Sequence, residues 1–266
     1  MKSYLRYLAV SLRVEMRELI IYRLNFIIEI IMVAVRVFLL WALWTALYIG
    51  KTEVNGIDLQ TMIFYSVTEI IFEALIKSNI EKAVTGNVRT GNIALMITRP
   101  VSYPVALFFE QLAHTGGNVI IRVIPYSVLL LVSGLWKYSS VSLNIWFVIS
   151  VILSYILAFL YQLSFGFLAF WTMELDGFSN ARTALMRFFS GSLIPIWFFP
   201  KILQRVADYL PFQAIYSTPL SICIGKIIGQ DISFALINQL IWITFFFCLS
   251  VFVWSRARRR VIVNGG

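Results

Sequence analysis

The sequence predicts an all-α, polytopic integral membrane protein with six transmembrane helices. Three observations predict it. Of 266 residues, 60% are hydrophobic and only 13% are charged, against about 25% charged in an ordinary soluble domain. Mean hydropathy is +0.84, more apolar surface than a soluble globule of this size can hide. The apolar residues also run in stretches of about 20 or more, the length a helix needs to cross ~30 Å of hydrocarbon. A soluble enzyme, a disordered chain and a nucleic-acid-binding domain are excluded. A net charge of +9 and a pI near 9.7 would point to nucleic acid in a soluble protein. In a membrane protein they report basic cytoplasmic loops and anionic headgroups.

The elements follow in chain order. In residues 1–23, Tyr4, Leu5, Leu8, Leu12, Met16, Leu19 and Ile20 recur at helical spacing, with Arg6, Arg13, Arg17 and Glu18 between them. This predicts an amphipathic helix lying in the inner interface, as a passive anchor or as a moving part. Spans are expected over 24–49 and 59–77. A third begins after Pro104 and ends near Trp136. The rest are expected over 144–173, 183–199 and 232–255. With the N-terminus in the cytoplasm, fifteen Lys and Arg fall in inner segments and five in outer ones, a positive-inside distribution. An even number of spans then puts the C-terminus in the cytoplasm too. No repeat, low-complexity tract or linker divides the chain, so 1–266 reads as a single transmembrane domain. No cleaved signal peptide is expected, because the first apolar stretch is too long and lacks a small-residue cleavage site.

Three segments are not simple spans. In residues 78–100, Gly86 and Gly91 flank Asn87-Val88-Arg89-Thr90. Ile93, Leu95, Met96 and Ile97 then form a short apolar stretch before Arg99-Pro100. Exposed Ile, Leu and Met together need covering, so this inner loop reads as a docking surface for a soluble partner, against the alternative of a solvated connector. Residues 101–136 would reach about 54 Å as one helix. A bend or a close helix approach is expected at Gly116-Gly117, with Glu110 and His114 near the cytoplasmic interface. In residues 200–231, Ile202, Leu203, Val206, Tyr209 and Leu210 make one apolar face. Pro200 opens that helix and Pro211 stops it. Residues 212–228 are apolar but interrupted by Pro219 and Gly225. The whole segment reads as an outer-face helical hairpin, partly re-entrant.

Several kinds of chemistry are missing. There is no GxxxxGK[ST]: Gly225-Lys226-Ile227 lacks both the following Ser or Thr and the preceding Gly. The single His114 lies one turn from Glu110, too few ligands for a metal site. Cys223 and Cys248 have no partners at ligand spacing and read as small buried hydrophobes. No nucleophile–base–acid set can be assembled. Four charges inside the spans are more informative. Arg36, Glu69, Glu73 and Arg122 all lie about 16–23 Å from the outer ends at 1.5 Å per residue, hence in one layer. Charges at that depth are costly unless paired or hydrated. Arg36 or Arg122 is therefore expected to pair with Glu69 or Glu73. The layer is either a latch fixing helix register or the lining of a path, attractive to cations if one Glu is left free. Glu29 is read as interfacial.

These residues carry a resemblance. Gly86-Asn87-Val88-Arg89-Thr90-Gly91-Asn92-Ile93, then Leu95 and Thr98-Arg99-Pro100, resembles the inner-loop pattern of short six-span permeases of the type-two ATP-binding-cassette (ABC) exporters, a class associated with drugs, lipids and antibiotics. Asn92 and Met96-Ile97 depart from the commoner residues there. Ser190-Gly191, Ile194-Pro195, Phe199-Pro200, Leu210-Pro211-Phe212-Gln213, Pro219 and Gly225-Lys226 are similar to the region around that subfamily's fifth span. The resemblance implies a permease in a prokaryotic plasma membrane, moving a drug, lipophilic cation, antibiotic, lipid or peptide outward. It implies ATPase coupling through Gly86, Asn87, Arg89, Thr90, Gly91 and Arg99, and an extracellular gate at Pro200, Pro211, Phe212 and Gln213. The implied partners are a separate cytoplasmic ATPase dimer, a second permease copy or sister permease, and membrane lipids, with no nucleic acid. ATP and Mg would be bound by the ATPase and no cofactor by this chain. A non-transporting subunit of a heterodimeric permease and a membrane-embedded lipid-modifying enzyme are the competing readings.

Overall fold

The computed structural model describes residues 23–132, 134, 144–172 and 176–260, together with Val10. Apart from Val10 and Arg23, the expected interfacial helix of residues 1–23 lies outside the described residues.

Helix α1 (Arg23–Leu47) has no Pro or Gly to interrupt it. It exposes Ile28, Ile31, Met32, Phe38 and Leu39, a surface that a bilayer must cover. A hairpin follows, with strands β1 (Glu53–Val54) and β2 (Ile57–Asp58). Asn55 and Gly56 between them have φ of +55° and +74°, the pair of left-handed residues that a tight two-residue hairpin needs. This small strand pair is the one departure from an all-helical chain among the described residues. Asp58 then caps α2 (Leu59–Ile76), its Oδ2 accepting from the backbone N–H of Gln60 at 3.1 Å and Thr61 at 3.2 Å. Helix α2 is central, with Met62, Tyr65, Phe72 and most of its other side chains buried.

At Lys77 the backbone turns to ψ 127° and α2 ends. Helices α3 (Ile80–Arg89) and α4 (Ile93–Ile97) follow, separated at Gly91, whose φ is +73°. Helix α5 (Tyr103–Asn118) runs through a π-helical turn at Val119–Val123 into α6 (Ile124–Val132). Gly116-Gly117 stays helical, so the expected irregularity lies just beyond it. Pro125 supplies the reason: it has no N–H for the carbonyl of Ile121, and its ring crowds that carbonyl. A wider turn immediately before it relieves both.

Helix α7 (Ile145–Gly166) is capped by Asn144, whose Oδ1 accepts from the N–H of Phe147 at 2.9 Å. The short α8 (Ala169–Thr172) comes next. Then come α9 (Asp176–Phe189), a 3-10 turn at Ile196–Phe198, α10 (Lys201–Asp208), α11 (Phe212–Ile215), α12 (Ser217–Cys223) and α13 (Gln230–Ala257). A last 3-10 turn covers Arg258–Arg260.

Among the described residues, five helical stretches are long and apolar enough to cross a membrane: Ile27–Leu47, Leu59–Arg89, Tyr103–Val132, Ile145–Thr172 and Gln230–Arg260. The second includes both α2 and α3, with the break at 77–79 between them. The segment expected as a fifth span, 183–199, is not one helix. Its helix starts earlier, at Asp176, and stops at Phe189. Gly191 at φ +79° and Pro195 break the apolar run that hydropathy alone reads as continuous. The expected outer hairpin is three short helices rather than two.

The core lies between α2, α7, α12 and α13, around Leu157, Phe167, Ile215, Leu220 and Phe246. Its polar fastening is Gln239, fully buried in α13. The Gln239 amide donates to Ser154 Oγ at 2.8 Å, to the Ala214 carbonyl at 2.8 Å and to the Ser150 carbonyl at 3.2 Å. Its oxygen accepts from Ser150 Oγ at 3.1 Å. One amide thus ties α7, α11 and α13 together. Cys223 is buried, whereas Cys248 is exposed, on the face of α13 that also exposes Phe245 and Phe252.

Candidate functional site

The intramembrane charges meet on α1 and α2. Helical spacing puts Glu69 and Glu73 one turn apart on the same face of α2, opposite Arg36 of α1. Arg36 takes both acids: Nη2 donates to Glu69 at 2.9 Å and Nη1 to Glu73 at 2.6 Å. Arg122 takes neither. Its Nε and Nη2 hold Glu29 in a two-pronged pair, both at 2.8 Å, and its Nη1 donates to Asn118. The expected four-residue layer is therefore split between two clusters. Glu29, read as interfacial, is the partner of Arg122, because Arg36 already takes the acids of α2. Glu29 precedes Arg36 by two helical turns on α1, which leaves it facing the turn that carries Arg122.

Three further residues that sequence reasoning left out join these clusters. Arg187 of α9 donates to the second oxygen of Glu73 at 3.0 Å. Arg182, also on α9, pairs with Glu81 of α3, and both side chains are only 9% exposed. The Arg182 guanidinium also lies 4.9 Å from the ring centre of Tyr161 and 5.2 Å from that of Phe165, a cation–π arrangement. Its Nε and Nη1, and Glu81 Oε1, have no hydrogen-bond partner among the described residues. No local pattern could have announced the pair, because 101 positions separate its members. Gln239, by contrast, stands with Asn238 as an amide pair in an apolar span, and that flags the position.

These side chains surround a cavity of about 440 Å³. Its wall carries Glu29, Glu73 and Glu81, together with Arg36, Lys77, Lys82, Arg122, Arg182 and Arg187. Tyr216, between α11 and α12, lines it as well. The segment read as a re-entrant outer hairpin thus reaches the charged clusters. An apolar pocket of about 380 Å³ adjoins this cavity, formed by α1, α2 and α6 around Val37, Phe38, Trp41 and Val67. The two share Val33, Ile70 and Tyr126. Among the described residues, no cluster of three or more His, Cys, Asp or Glu is placed to hold a metal ion.

The segment expected to couple to an ATPase is built as two short helices on a fixed base. Ile80, Glu81 and Val84 are buried, and α3 lies so close to α7 that a Cβ at Gly166 would sit 3.4 Å from Glu81 Cα. Asn87 donates to the Tyr103 hydroxyl at 3.0 Å. The Thr90 hydroxyl is bound to the Gly86 carbonyl at 2.8 Å. Gly86, Arg89, Gly91 and Arg99 are exposed. Ile93 is buried while Leu95 is 67% and Ile97 38% exposed. The break between α2 and α3 is held from α5: Gln111 donates to the Lys77 carbonyl at 3.0 Å, and His114 meets Asn79 at 3.0 Å and Asn118 at 3.2 Å.

At the other end, Pro200 is exposed and caps α10, while Pro211 is buried. The Gln213 amide donates to Asp208 at 3.0 Å, joining α10 to α11. Phe212 stands edge-on to Tyr161 at 5.8 Å. Lys226 lies 4.6 Å over the Trp197 ring, and burial pulls its pKa below the ordinary lysine value.

A comparison with protein families matches residues 30–265 to one described as ABC-2 family transporter protein. No curated protein matches the chain. Permeases of this family generally pair with a cytoplasmic ATPase subunit. The match takes in nearly all of the spans and, apart from Glu29, the candidate site: the chain belongs to the ABC-2 transporter family, as a multi-pass transmembrane permease subunit of an ABC transporter.

Proposed function

We propose that this permease is the membrane half of an ATP-driven exporter in a prokaryotic plasma membrane. It moves a hydrophobic or amphipathic substrate from the inner to the outer side. ATP and Mg are bound by a separate cytoplasmic ATPase dimer, and a second permease, identical or sister, completes the channel. Six spans are counted, with α9 as the fifth and both termini inside. Helices α10 to α12 form the extracellular gate, with Pro200, Pro211, Phe212 and Gln213 at its turns.

The observation that carries this reading is the shape of residues 78–100. Helix α3 is anchored to the membrane core by buried contacts, while α4 presents Leu95 and Ile97 outward, flanked by Arg89 and Arg99. An apolar tip with a basic rim, rigidly joined to the spans, is what a docking element that transmits force requires. Helix α3 joins α4 at one end to Glu81 and the break at 77–79 at the other, so motion of α4 reaches the charged cavity through α3.

The test is purification of the tagged chain from native membranes with the ATPase that it retains, recognised by a P-loop in its sequence. ATP hydrolysis by the complex is expected to exceed that of the ATPase alone. Exchanging Arg89 and Arg99 together for Ala is expected to return it to the level of the ATPase alone. Full stimulation in that variant would remove the coupling role from this loop.

A further inference from the structure

We infer that the charged cavity and the adjoining apolar pocket form one bipartite site for an anionic amphiphile, with its negative headgroup on the cationic wall and its single apolar tail in the pocket. The charge balance carries the first half. Among the described residues, six bases and three acids line the cavity. Counting Glu69, which stands off the wall, still leaves an excess of bases. Two of the three wall acids are shared between two bases each, while Glu81 serves Arg182 alone among the described residues. Glu73 serves Arg36 and Arg187, and Glu29 serves Arg122 at 2.8 Å and Lys77 at 3.9 Å. Arg182, more than nine-tenths buried, keeps two nitrogens without a partner among the described residues. Lys82 makes no ion pair among them. Surplus positive charge lining a part-buried cavity favours an anion that completes it. A cation would meet that same surplus as repulsion, so the lipophilic cations considered from sequence are disfavoured.

Continuity carries the second half. The apolar pocket opens from the cavity across Val33, Ile70 and Tyr126. Along α1 the cavity takes Glu29, Met32, Val33 and Arg36 and the apolar pocket takes Val33, Ala34, Val37, Phe38 and Trp41, so the pocket extends further toward the helix's C-terminal end. In the proposed topology this is the posture of an inner-leaflet amphiphile, with its headgroup at the inner side and its tail toward mid-membrane. Each compartment falls in the ~300–1,000 Å³ range of ligand sites. The inference rests on the permease reading for its transport sense, but binding can be measured without any ATPase.

The probe is dodecyl phosphate, titrated into the purified full chain in phosphatidylcholine nanodiscs and followed by calorimetry. Dodecyltrimethylammonium, dodecyl maltoside and inorganic phosphate are the comparisons. Dodecyl phosphate is expected to bind at least tenfold more tightly than any of the three. Lys82→Glu is expected to weaken it tenfold or more by reversing an exposed charge on the wall. Ala34→Trp, which fills the apolar pocket, is expected to weaken it similarly. Melting curves check that both variants are folded. Equal binding of the cationic amphiphile would overturn the inference. So would an unchanged affinity in folded Lys82→Glu. Ala34→Trp altering only the oligomeric state would overturn it too, since the pocket would then be a seat for a second copy. If ATPase stimulation fails while dodecyl phosphate binds as expected, the exporter reading falls and the site stands; the reverse result removes the site alone.

Discussion

Arg182 and Glu81 hold α9 to α3 through charges that are almost wholly out of water. Removing one member of such a pair leaves the other buried and uncompensated, which costs about 3–5 kcal/mol. Removing both costs less, because no charge is stranded. Arg182→Gln and Glu81→Gln are therefore each expected to lower thermal stability in detergent, and the double variant is expected to melt above either single one. A double variant melting at the sum of the two losses would show that the two residues act separately. At this scale, what could be read in advance followed from local spacing. Glu69 and Glu73 lie four positions apart on one apolar helix, and depth counting brings Arg36 to their level. Arg122 was found by the same count, but of the two bases offered to these acids it is Arg36 that takes them, since depth does not say which way a helix face turns. Arg182, Arg187 and Glu81 were missed, because only the tertiary fold brings α9 against α2 and α3.

Between elements, the contact that matters most for coupling is α3 on α7. Gly166 permits it. A methyl there would meet Glu81 Cα at 3.4 Å and Val84 at 3.5 Å, ordinary contact distances, whereas a larger side chain must push α3 away. Gly166→Ala is expected to keep near-normal ATPase stimulation in the purified complex, and Gly166→Leu to lose most of it while still reaching the membrane. Equal stimulation in both would mean that the α3–α7 approach does not transmit motion. Element boundaries were legible where one signal dominated. The first, second, fourth and last spans fall within a few residues of their hydropathic limits, and Asp58 and Asn144 cap where an N-cap residue should. They were illegible where hydropathy and backbone chemistry disagree. Residues 183–199 read as one apolar run, but Gly191 and Pro195 end the helix, and the polar residues before Thr183 extend it backwards. Pro125 displaces the irregularity of the third span into a π-turn that no apolar pattern marks.

For the molecule as a whole, parity decides the topology. Five long helices would put the termini on opposite sides, whereas six put them together. The deciding element is α9, which at 14 residues spans roughly 21 Å, short of the ~30 Å hydrocarbon core. Two features argue that it still completes a crossing. Its two arginines are paired, Arg182 with Glu81 and Arg187 with Glu73, which lowers the cost of carrying them into the membrane. Residues 190–199 continue from it to the 3-10 turn, where Asn55 of the hairpin donates to the Trp197 carbonyl at 3.0 Å. The far end of α9 is thus tied to the level of the β-hairpin, at the opposite end of α2 from α3. A sixth crossing also leaves Arg258–Arg260 on the side of α4, as the positive-inside distribution requires. In a chain freed of thiols by Cys223→Ala and Cys248→Ser, single cysteines at Thr52, Leu95 and Arg259 make the parity measurable. A membrane-impermeant maleimide on intact cells is expected to label Thr52→Cys and to leave Leu95→Cys and Arg259→Cys unlabelled until the membrane is permeabilised. Labelling of Arg259→Cys from outside, with Leu95→Cys still protected, would make α9 a re-entrant element and the chain a five-span protein. The charged cavity would then have to work with its last helix running the other way.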